Sequence, residues 1–335
     1  MRDTIVAFGE MLMRLSPPGY QRLIQATGFD AVYAGSEANV LISLAQMGCQ
    51  TKYITRLPEN PLGEAARNAL RHWGVDTRDV VWGGKRLGLY YLEQGAALRA
   101  SNVIYDRAGS AMAEAEPEMF DWAAILADAD WFHFSGITPA LGQGCAEATL
   151  QALKTAKKLG ITVSCDLNYR AKLWTVEECR RVMIPLMEYV DVVLGTSEDA
   201  DDVLDIQLPP MGMREASRAA AEAIHSRYGI ATSAMMQRES RSVIDKGWSA
   251  LLYADGAVYD SQHYELHTVD IVGTGDAFAA GLIYGLRSGR GPQFTVNYAL
   301  AASALEQTMV GDYNMASAEE ILPLAETEGF QDIKR

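Results

Sequence analysis

The 335-residue sequence predicts an α/β fold in which a largely parallel sheet is sandwiched by helices. Three observations support this prediction. Short apolar segments rich in β-branched residues alternate with longer segments that have apolar residues at helical spacing. The composition, 49% hydrophobic and 21% charged, suits a chain that buries a large core. No internal repeat or linker rich in Pro, Gly and Ser divides the chain, so we expect one main domain.

The first half of the chain shows the alternation clearly. We predict strands at residues 5–8, 52–55 and 131–134, and helices at residues 37–47, 63–73 and 144–158. The second half continues it, with strands at 161–165, 190–194 and 231–236 and helices at 176–187 and 214–227. A last strand at 264–269 precedes a helix at 277–287. Strands that alternate with helices in this way pair in parallel, because each helix carries the chain back across the sheet.

Two segments, 11–33 and 86–107, interrupt the alternation. In the second of them Leu87, Leu89 and Tyr91 alternate with other residues, as in half-exposed strands. We expect the two segments to form a small inserted β-sheet, with residues 1–10, 34–85 and 108–335 as the α/β domain. From the residues alone, surface hairpins or a dimer clasp are alternatives for these segments.

The charge of the chain restricts its partners. A formal net charge of −14 argues against binding to nucleic acid or to an anionic membrane, because both require a basic surface. A small molecule is the expected partner. An anionic ligand would need local arginines, backbone amides or Mg²⁺ to offset the long-range repulsion.

The cysteines and the apolar runs indicate where the protein resides. Four widely spaced cysteines, without Cys-x-x-Cys spacing, favour a reduced, metal-free state: Cys49, Cys145, Cys165 and Cys179. No apolar run approaches the roughly 20 residues that span a bilayer, and the N-terminus enters a strand without a signal-peptide core. We therefore expect a cytoplasmic protein.

The segment Gly273-Thr274-Gly275-Asp276 joins the last predicted strand to its helix. Its glycines allow the backbone to turn N–H groups towards an anion, and the helix dipole adds to that field. Asp276 would accept a proton from an attacking hydroxyl, a combination that suits phosphoryl transfer. The alternative is that Asp276 only caps the helix. No Gly-Lys-Ser/Thr follows, so the segment is not a Walker A loop.

A second motif supports the chemical interpretation. The Gly-x-Gly-Asp loop and the segment Ala34-Gly35-Ser36-Glu37-Ala38-Asn39-Val40 resemble the two signatures of ribokinase-like (PfkB-type) carbohydrate kinases. Within that family the sequence most resembles 2-keto-3-deoxygluconate kinases, in segments 9–18, 88–93, 105–107 and 166–170. The likeness extends over nearly the whole chain. It implies a ribokinase-like fold with a lid, and ATP-dependent, Mg²⁺-dependent phosphorylation of the 6-hydroxyl of 2-keto-3-deoxygluconate.

The resemblance also implies roles for individual residues. The catalytic group would comprise Asp276 as base with Gly273, Thr274 and Gly275 as anion hole. The sugar-acid site would comprise Gly35, Asn39, Tyr90, Tyr105, Arg107, Ile137 and Arg170. In that site the two arginines would hold the carboxylate, because a guanidinium binds a carboxylate bidentately. Without the resemblance, either arginine is an ordinary surface ion-pair partner.

The ATP site is less well marked in the sequence. The resemblance assigns to it Thr196, Arg238, Gly273, Gly275 and Asn314. The family often has Asn-x-x-Glu where this chain has Thr196 and Asp199, so the sequence does not identify the ligands of Mg²⁺. Arg238 is interpreted either as a phosphate contact or as a surface residue.

Two rival functions remain open at this stage. One is a kinase of the same fold that acts on a neutral ketose, ribose or a nucleoside. The other is a catalytically silent sugar-binding sensor. The sequence fixes neither the C4 stereochemistry of the substrate nor the oligomeric state, although a homo-oligomer formed through the lid is a possible assembly.

Overall fold

The computed structural model describes residues 2–326. Fifteen strands are present in this part of the chain: β1 (Thr4–Phe8), β2 (Leu12–Ser16), β3 (Asp30–Ala34), β4 (Gln50–Ile54), β5 (Arg56–Leu57), β6 (Val81–Trp82), β7 (Gly88–Glu93), β8 (Asn102–Asp106), β9 (Ala129–Ser135), β10 (Thr162–Asp166), β11 (Val192–Gly195), β12 (Thr232–Ser240), β13 (Asp245–Ala254), β14 (Ala257–Asp260) and β15 (Tyr264–His267).

The same residues form eleven α-helices: α1 (Ser36–Gln46), α2 (Pro61–His72), α3 (Trp122–Ile125), α4 (Ile137–Ala140), α5 (Gln143–Leu159), α6 (Val176–Leu186), α7 (Ser197–Leu204), α8 (Met213–Tyr228), α9 (Thr274–Ser288), α10 (Pro292–Glu306) and α11 (Ala318–Glu326). Each helix predicted from the sequence overlaps one of these. Helices α3, α4, α7, α10 and α11 were not predicted.

The main sheet has nine strands in the order β14-β13-β12-β11-β10-β9-β1-β4, with β15 paired to β13. Pairing is parallel from β4 across to β12. Strands β13, β14 and β15 then add antiparallel pairs at one edge. The predicted α/β fold with a largely parallel sheet is therefore confirmed. The antiparallel edge of the sheet was not predicted.

Helices cover both faces of this sheet, as the continuous apolar strands require. Side chains alternate along β1, so that Ile5 and Ala7 belong to one buried cluster while Val6 and Phe8 belong to a second cluster on the opposite face. All four are fully buried. The sheet is thus the middle layer of a three-layer core, and its strand ends are held rigidly.

A separate four-stranded sheet, called the lid below, has the order β3-β2-β7-β8. Its central pair, β2 with β7, is parallel, whereas β3 and β8 pair in antiparallel fashion on either side. The strands come from the two segments that interrupt the βα alternation. Leu12, Tyr90 and Leu92 form a small buried cluster against Val272, which places one face of the lid over the loop before α9.

Two features of composition have structural counterparts. All four cysteines are unpaired, and Cys145, Cys165 and Cys179 are buried. Within residues 2–326, no helix combines the length and apolar character needed to cross a membrane.

Candidate active site

A cavity of about 1010 Å³ lies between the carboxyl edge of the main sheet and the lid. The sheet side includes Asp166 at the end of β10 and Thr196 directly after β11, and the lid side includes Tyr90 and Tyr105. Parallel α/β sheets bind ligands at this edge because the strand ends and the helix N-termini converge there. The fold therefore provides a pocket of small-molecule size where the sequence motifs meet.

Asp276 lies in the first turn of α9 and lines this pocket. Its carboxylate accepts two hydrogen bonds, one from the Ser36 hydroxyl to Oδ1 and one from the Asn39 amide to Oδ2, both of 2.7 Å. The residue is 8% exposed. These bonds fix the orientation of the carboxylate while leaving it a lone pair on each oxygen for a ligand hydroxyl.

Burial raises the pKa of Asp276 from 3.8 to about 7, even though the hydrogen bonds from Ser36 and Asn39 lower it. The buried carboxyl of Glu37 contributes further to the rise, and Arg170 opposes it. A carboxyl group with a pKa near neutrality is ionised in part at physiological pH and is a stronger base than an ordinary aspartate. The site therefore contains a group suited to take a proton from a hydroxyl.

The loop before Asp276 depends on its first glycine. Gly273 is the N-cap of α9 with φ of 93°, a backbone conformation that other residues rarely adopt. A Cβ at this position would also overlap the carbonyl oxygen of Asp312. The first N–H groups of α9 have no partner within the helix, and they add to the positive end of the helix dipole beside the cavity.

Thr274 holds the loop through contacts of its buried side chain. Its hydroxyl lies 2.8 Å from the Ile271 carbonyl oxygen and 3.0 Å from Glu306 Oε2. Burial raises the pKa of Glu306 well above its usual value. A protonated Glu306 would donate to the Thr274 oxygen while Thr274 donates to Ile271, so both contacts are satisfied at once.

The predicted sugar motif builds the opposite wall. Gly35 is the N-cap of α1, and its N–H donates to Asn39 Oδ1 at 3.2 Å. A Cβ on Gly35 would overlap the backbone carbonyl of Glu10, so the helix can approach β1 only with glycine there. Gly35 and Asn39 both line the pocket, as does Ile137. Asn39 was predicted to bind sugar hydroxyls. In the structure its side-chain amide donates a hydrogen bond to Asp276.

The two arginines predicted to hold a carboxylate have different surroundings. Arg107 is 8% exposed and forms a close ion pair with Glu10, including a 2.7 Å hydrogen bond from Nε. Its guanidinium also lies over the Tyr105 ring at 5.6 Å. Arg170 is exposed and, within residues 2–326, makes no ion pair; its guanidinium lies 3.5 Å from the Tyr169 carbonyl oxygen. Both line the pocket, and Arg170 has its charge available to a ligand.

The residues predicted for ATP are only partly brought together. Thr196 lines the pocket and is also the N-cap of α7, where it forms a capping box with Asp199. Arg238 lines the pocket from β12 with an exposed side chain. Asn314 is buried outside the pocket lining, and its Oδ1 accepts a hydrogen bond from the Ala316 N–H at 2.9 Å. The structure does not bring Asn314 to the wall of the cavity.

Several lining residues had not been singled out from the sequence. Asp166 is buried, and burial followed by the nearby Asp199 raises its pKa well above the usual value. Lys172 reaches across to the lid, where it donates to the Val103 carbonyl at 2.7 Å and lies over Tyr105. Asp166 directly follows the predicted strand at 161–165, and this position at a strand end is a local signal that identifies it. Nothing local marks Lys172.

Fold and pocket together define the class of protein. A mostly parallel sheet, a small β lid and a polar cavity between them are the architecture of ribokinase-like kinases. The chain belongs to the pfkB family of carbohydrate kinases, whose family model matches residues 2–319. It is therefore a phosphotransferase that acts on carbohydrate, as its sequence had predicted.

Individual relatives agree with this membership. The chain is 35% identical to a 2-dehydro-3-deoxygalactonokinase of Haloferax volcanii over 96% of each protein. It is 28% identical to a 2-dehydro-3-deoxygluconokinase of Thermoproteus tenax, over 95% of this chain and 94% of the relative. The crystal structure of a 2-dehydro-3-deoxygluconokinase from Thermotoga maritima superposes with a TM-score of 0.95 at 48% identity, covering 98% of this chain and 99% of the other.

Proposed function

We propose that the protein transfers the γ-phosphoryl group of ATP to the 6-hydroxyl of 2-keto-3-deoxygluconate, with Mg²⁺ as the required cation. The observation that carries the proposal is the position of Asp276, a buried, doubly hydrogen-bonded carboxylate beside the helix N-terminus in a lid-covered pocket. The relatives from Thermoproteus tenax and Thermotoga maritima, both named as 2-dehydro-3-deoxygluconokinases, support the choice of substrate.

The proposed chemistry follows from that position. Asp276 takes the proton of the sugar hydroxyl as its oxygen bonds to the γ-phosphorus and the bond to the ADP oxygen breaks. The N–H groups of the Gly273–Gly275 loop and the dipole of α9 stabilise charge on the transferring group. The lid excludes water, which would otherwise compete as acceptor.

A sugar acid also needs a partner for its carboxylate. Arg170 lines the pocket with an exposed side chain and has no ion-pair partner in the part of the chain that the structure describes. Arg107 is held by Glu10 and stacked on Tyr105, so it offers directed N–H donors at little net charge. We assign the carboxylate to Arg170, with Arg107 and Tyr105 orienting the adjoining keto and hydroxyl groups.

The proposed cation fits the donors of the pocket. Among residues 2–326, no cluster of three or more side chains forms a complete metal cage. Mg²⁺ commonly binds through one or two carboxylates together with phosphate oxygens and water. Asp166 would hold it, because this carboxyl lines the pocket and the Asn168 amide is the one side-chain donor it has among residues 2–326. When bound, Mg²⁺ would offset the negative charge that ATP brings into an acidic pocket.

The galactonate-derived epimer is the second candidate substrate. The observation that favours it is the relative from Haloferax volcanii, which is named for that activity and is 35% identical. The two acids differ only in configuration at C4, so the same carboxylate partner and the same base would serve both.

A direct test is ADP release by the purified protein with Mg²⁺-ATP. The panel comprises 2-keto-3-deoxygluconate, its C4 epimer, fructose, ribose and adenosine. We expect turnover of the keto acids and none of the neutral sugars. Turnover of a neutral sugar alone would retain the kinase and refute the carboxylate assignment. Sugar binding without turnover of any of the compounds would instead favour a sensor.

A further inference from the structure

A buried charge network connects the lid to the loop before α9. Its centre is Arg14 in lid strand β2, whose side chain is 4% exposed. The guanidinium donates to Asp312 Oδ1 at 2.6 Å and to Asp270 Oδ2 at 2.7 Å. Its Nε donates to Ser16 Oγ at 2.8 Å. One lid side chain therefore joins three segments that are far apart in sequence.

Asp270 connects this network to the Gly273–Gly275 loop from its N-terminal side. Its Oδ1 accepts the backbone N–H groups of Ile271 and Val272 at 2.8 and 3.2 Å. Its Oδ2 receives Arg14 and lies 3.4 Å from the Gly311 N–H. A shift of this carboxylate would therefore change the course of the backbone immediately before Gly273.

Asp312 connects the network to the same loop from the other side. Its backbone carbonyl packs so closely against Gly273 that no side chain could be placed there. Its carboxylate receives Arg14 and also the hydroxyl of Tyr90, a second lid residue. The position of Gly273 thus depends on where the lid holds Asp312.

The network is unfavourable without its arginine. Asp270 and Asp312 are 5% and 1% exposed, and the nearby Glu306 is fully buried. Burial raises the pKa of Asp312, whereas Arg14 and Tyr90 lower it. If the lid withdrew Arg14, two buried carboxylates would lose the charge that compensates them, at a cost that favours rearrangement of the loop.

We propose that Arg14 is a positioning residue that makes the Gly273–Gly275 loop competent to stabilise the transferring phosphoryl group only when the lid is seated. This proposal rests on the role assigned above to the Gly273–Gly275 loop, and it is independent of the identity of the sugar. The same movement of β2 would exclude water and complete the anion hole. ATP would therefore not be hydrolysed while the lid is open.

The test is a comparison of three variants with the wild type. Arg14→Lys keeps the charge but cannot reach two carboxylates with a planar fork. Asp312→Asn keeps the shape and weakens the ion pair. Arg99→Gln is the matched control, since Arg99 is a lid arginine paired with the nearly buried Glu93, away from the loop. Steady-state kinetics for each substrate and thermal melting are measured for the wild type, for the three variants and for the Arg14→Lys/Asp312→Asn double variant.

We expect Arg14→Lys to lower kcat roughly ten- to a hundred-fold, since small displacements of reacting groups have effects of that size. The KM for the sugar should stay near the wild-type value, and the double variant should lose little more than either single one. Arg99→Gln should retain wild-type kcat. A purely structural arginine would lower the melting temperature and leave kcat unchanged.

The proposal is overturned if kcat of Arg14→Lys stays within about twofold of wild type, or if the sugar KM rises while kcat is kept. Should Arg14→Lys fail to fold, an unchanged kcat in Asp312→Asn overturns it as well. The Asp276→Asn variant distinguishes failure of this proposal from failure of the proposed function. If Asp276→Asn is active, the assignment of Asp276 as the base is refuted. If Asp276→Asn is inactive while Arg14→Lys is fully active, only the positioning role of Arg14 is refuted.

Discussion

The side-chain amide of Asn39 donates to the carboxylate of Asp276 at 2.7 Å, across 237 residues of sequence. This hydrogen bond joins the two motifs that resemble family signatures. The Gly35 N–H in turn donates to the Asn39 side chain and orients it. A chain of hydrogen bonds therefore leads from Gly35 through Asn39 to the candidate base. The two motifs therefore form a single site in which one motif holds the reactive group of the other.

The first prediction concerns Asp276→Asn. We expect kcat to fall by about 10²- to 10⁴-fold, because this change removes the proton acceptor and keeps the shape of the side chain. Sugar binding measured by calorimetry should be retained. Asp255→Asn is the control, since Asp255 occupies a turn with φ of 54° that asparagine tolerates. A variant that keeps more than about a tenth of wild-type kcat would contradict the assignment of the base.

The second prediction concerns the pH dependence of activity. Since burial raises the pKa of Asp276 to about 7, the kcat/KM for the sugar should rise with pH, reach half of its maximum near the pKa and level off about one pH unit higher. Ser36→Ala removes a hydrogen bond that lowers this pKa, so the rising limb should move to higher pH. Ser226→Ala, at an exposed helix position, is the control. A limb that stays in place in Ser36→Ala would indicate that another group controls the profile.

The third prediction concerns stability. The folded-state pKa of Asp276 is raised above 3.8 to about 7, so the folded protein binds this proton more tightly than the unfolded chain does. The buried carboxyl therefore costs no stability below about pH 4, costs more between pH 4 and 7, and has its full cost above pH 7. Asp276→Asn should raise the melting temperature at pH 8 and change it little at pH 4. An equal change at both pH values would contradict the raised pKa.

The fourth prediction compares two neighbouring glycines. Gly273→Ala should lower the free energy of unfolding by about 1–3 kcal/mol and abolish activity, because residue 273 has φ of 93° and its new methyl group would meet Asp312. At Gly275 the nearest atom to a new Cβ is Met236 Cε at 3.9 Å. Gly275→Ala should therefore leave stability intact. Chemical denaturation measures both, and equal losses would show that the conformation of Gly273 has no special importance.

The fifth prediction concerns the carboxylate partner. Arg170→Met should raise the KM for the keto acid roughly ten- to a hundred-fold, the range expected for loss of a charge-assisted hydrogen bond. The KM for ATP should stay unchanged. Arg181→Met, a change at an arginine of α6 outside the pocket lining, serves as the control. An unchanged KM for the keto acid would show that Arg107 or another group, and not Arg170, binds the carboxylate.

The parallel part of the fold was predictable because its signals are local. Strands such as β1, β9 and β11 in the main sheet contain short apolar runs, and the helices between the strands have apolar residues at regular spacing. The antiparallel strands β13 and β14 were missed, although a local signal existed. Asp255 and Gly256 between them have φ of 54° and 74°, and an Asp-Gly pair between apolar runs is typical of a hairpin turn.

The site was predictable where its residues belong to motifs, and hidden where they depend on distant partners. Asp276, Gly35 and Asn39 could be named because the glycines and the helix start are local features. The partners of Arg14 are 256 and 298 residues away, so no window of sequence marks it as buried. The pairing of Arg107 with Glu10, 97 residues apart, was hidden for the same reason and alters the charge that Arg107 presents.

The measurement that tests the central claim most directly is the position of the phosphate in the product. The protein would be incubated with Mg²⁺-ATP and 2-keto-3-deoxygluconate, and the product examined by proton–phosphorus correlation spectroscopy. Our account predicts a phosphate ester coupled to the two protons on C6. Coupling to a proton on another carbon, or the absence of any sugar phosphate while a neutral sugar is phosphorylated, would contradict it.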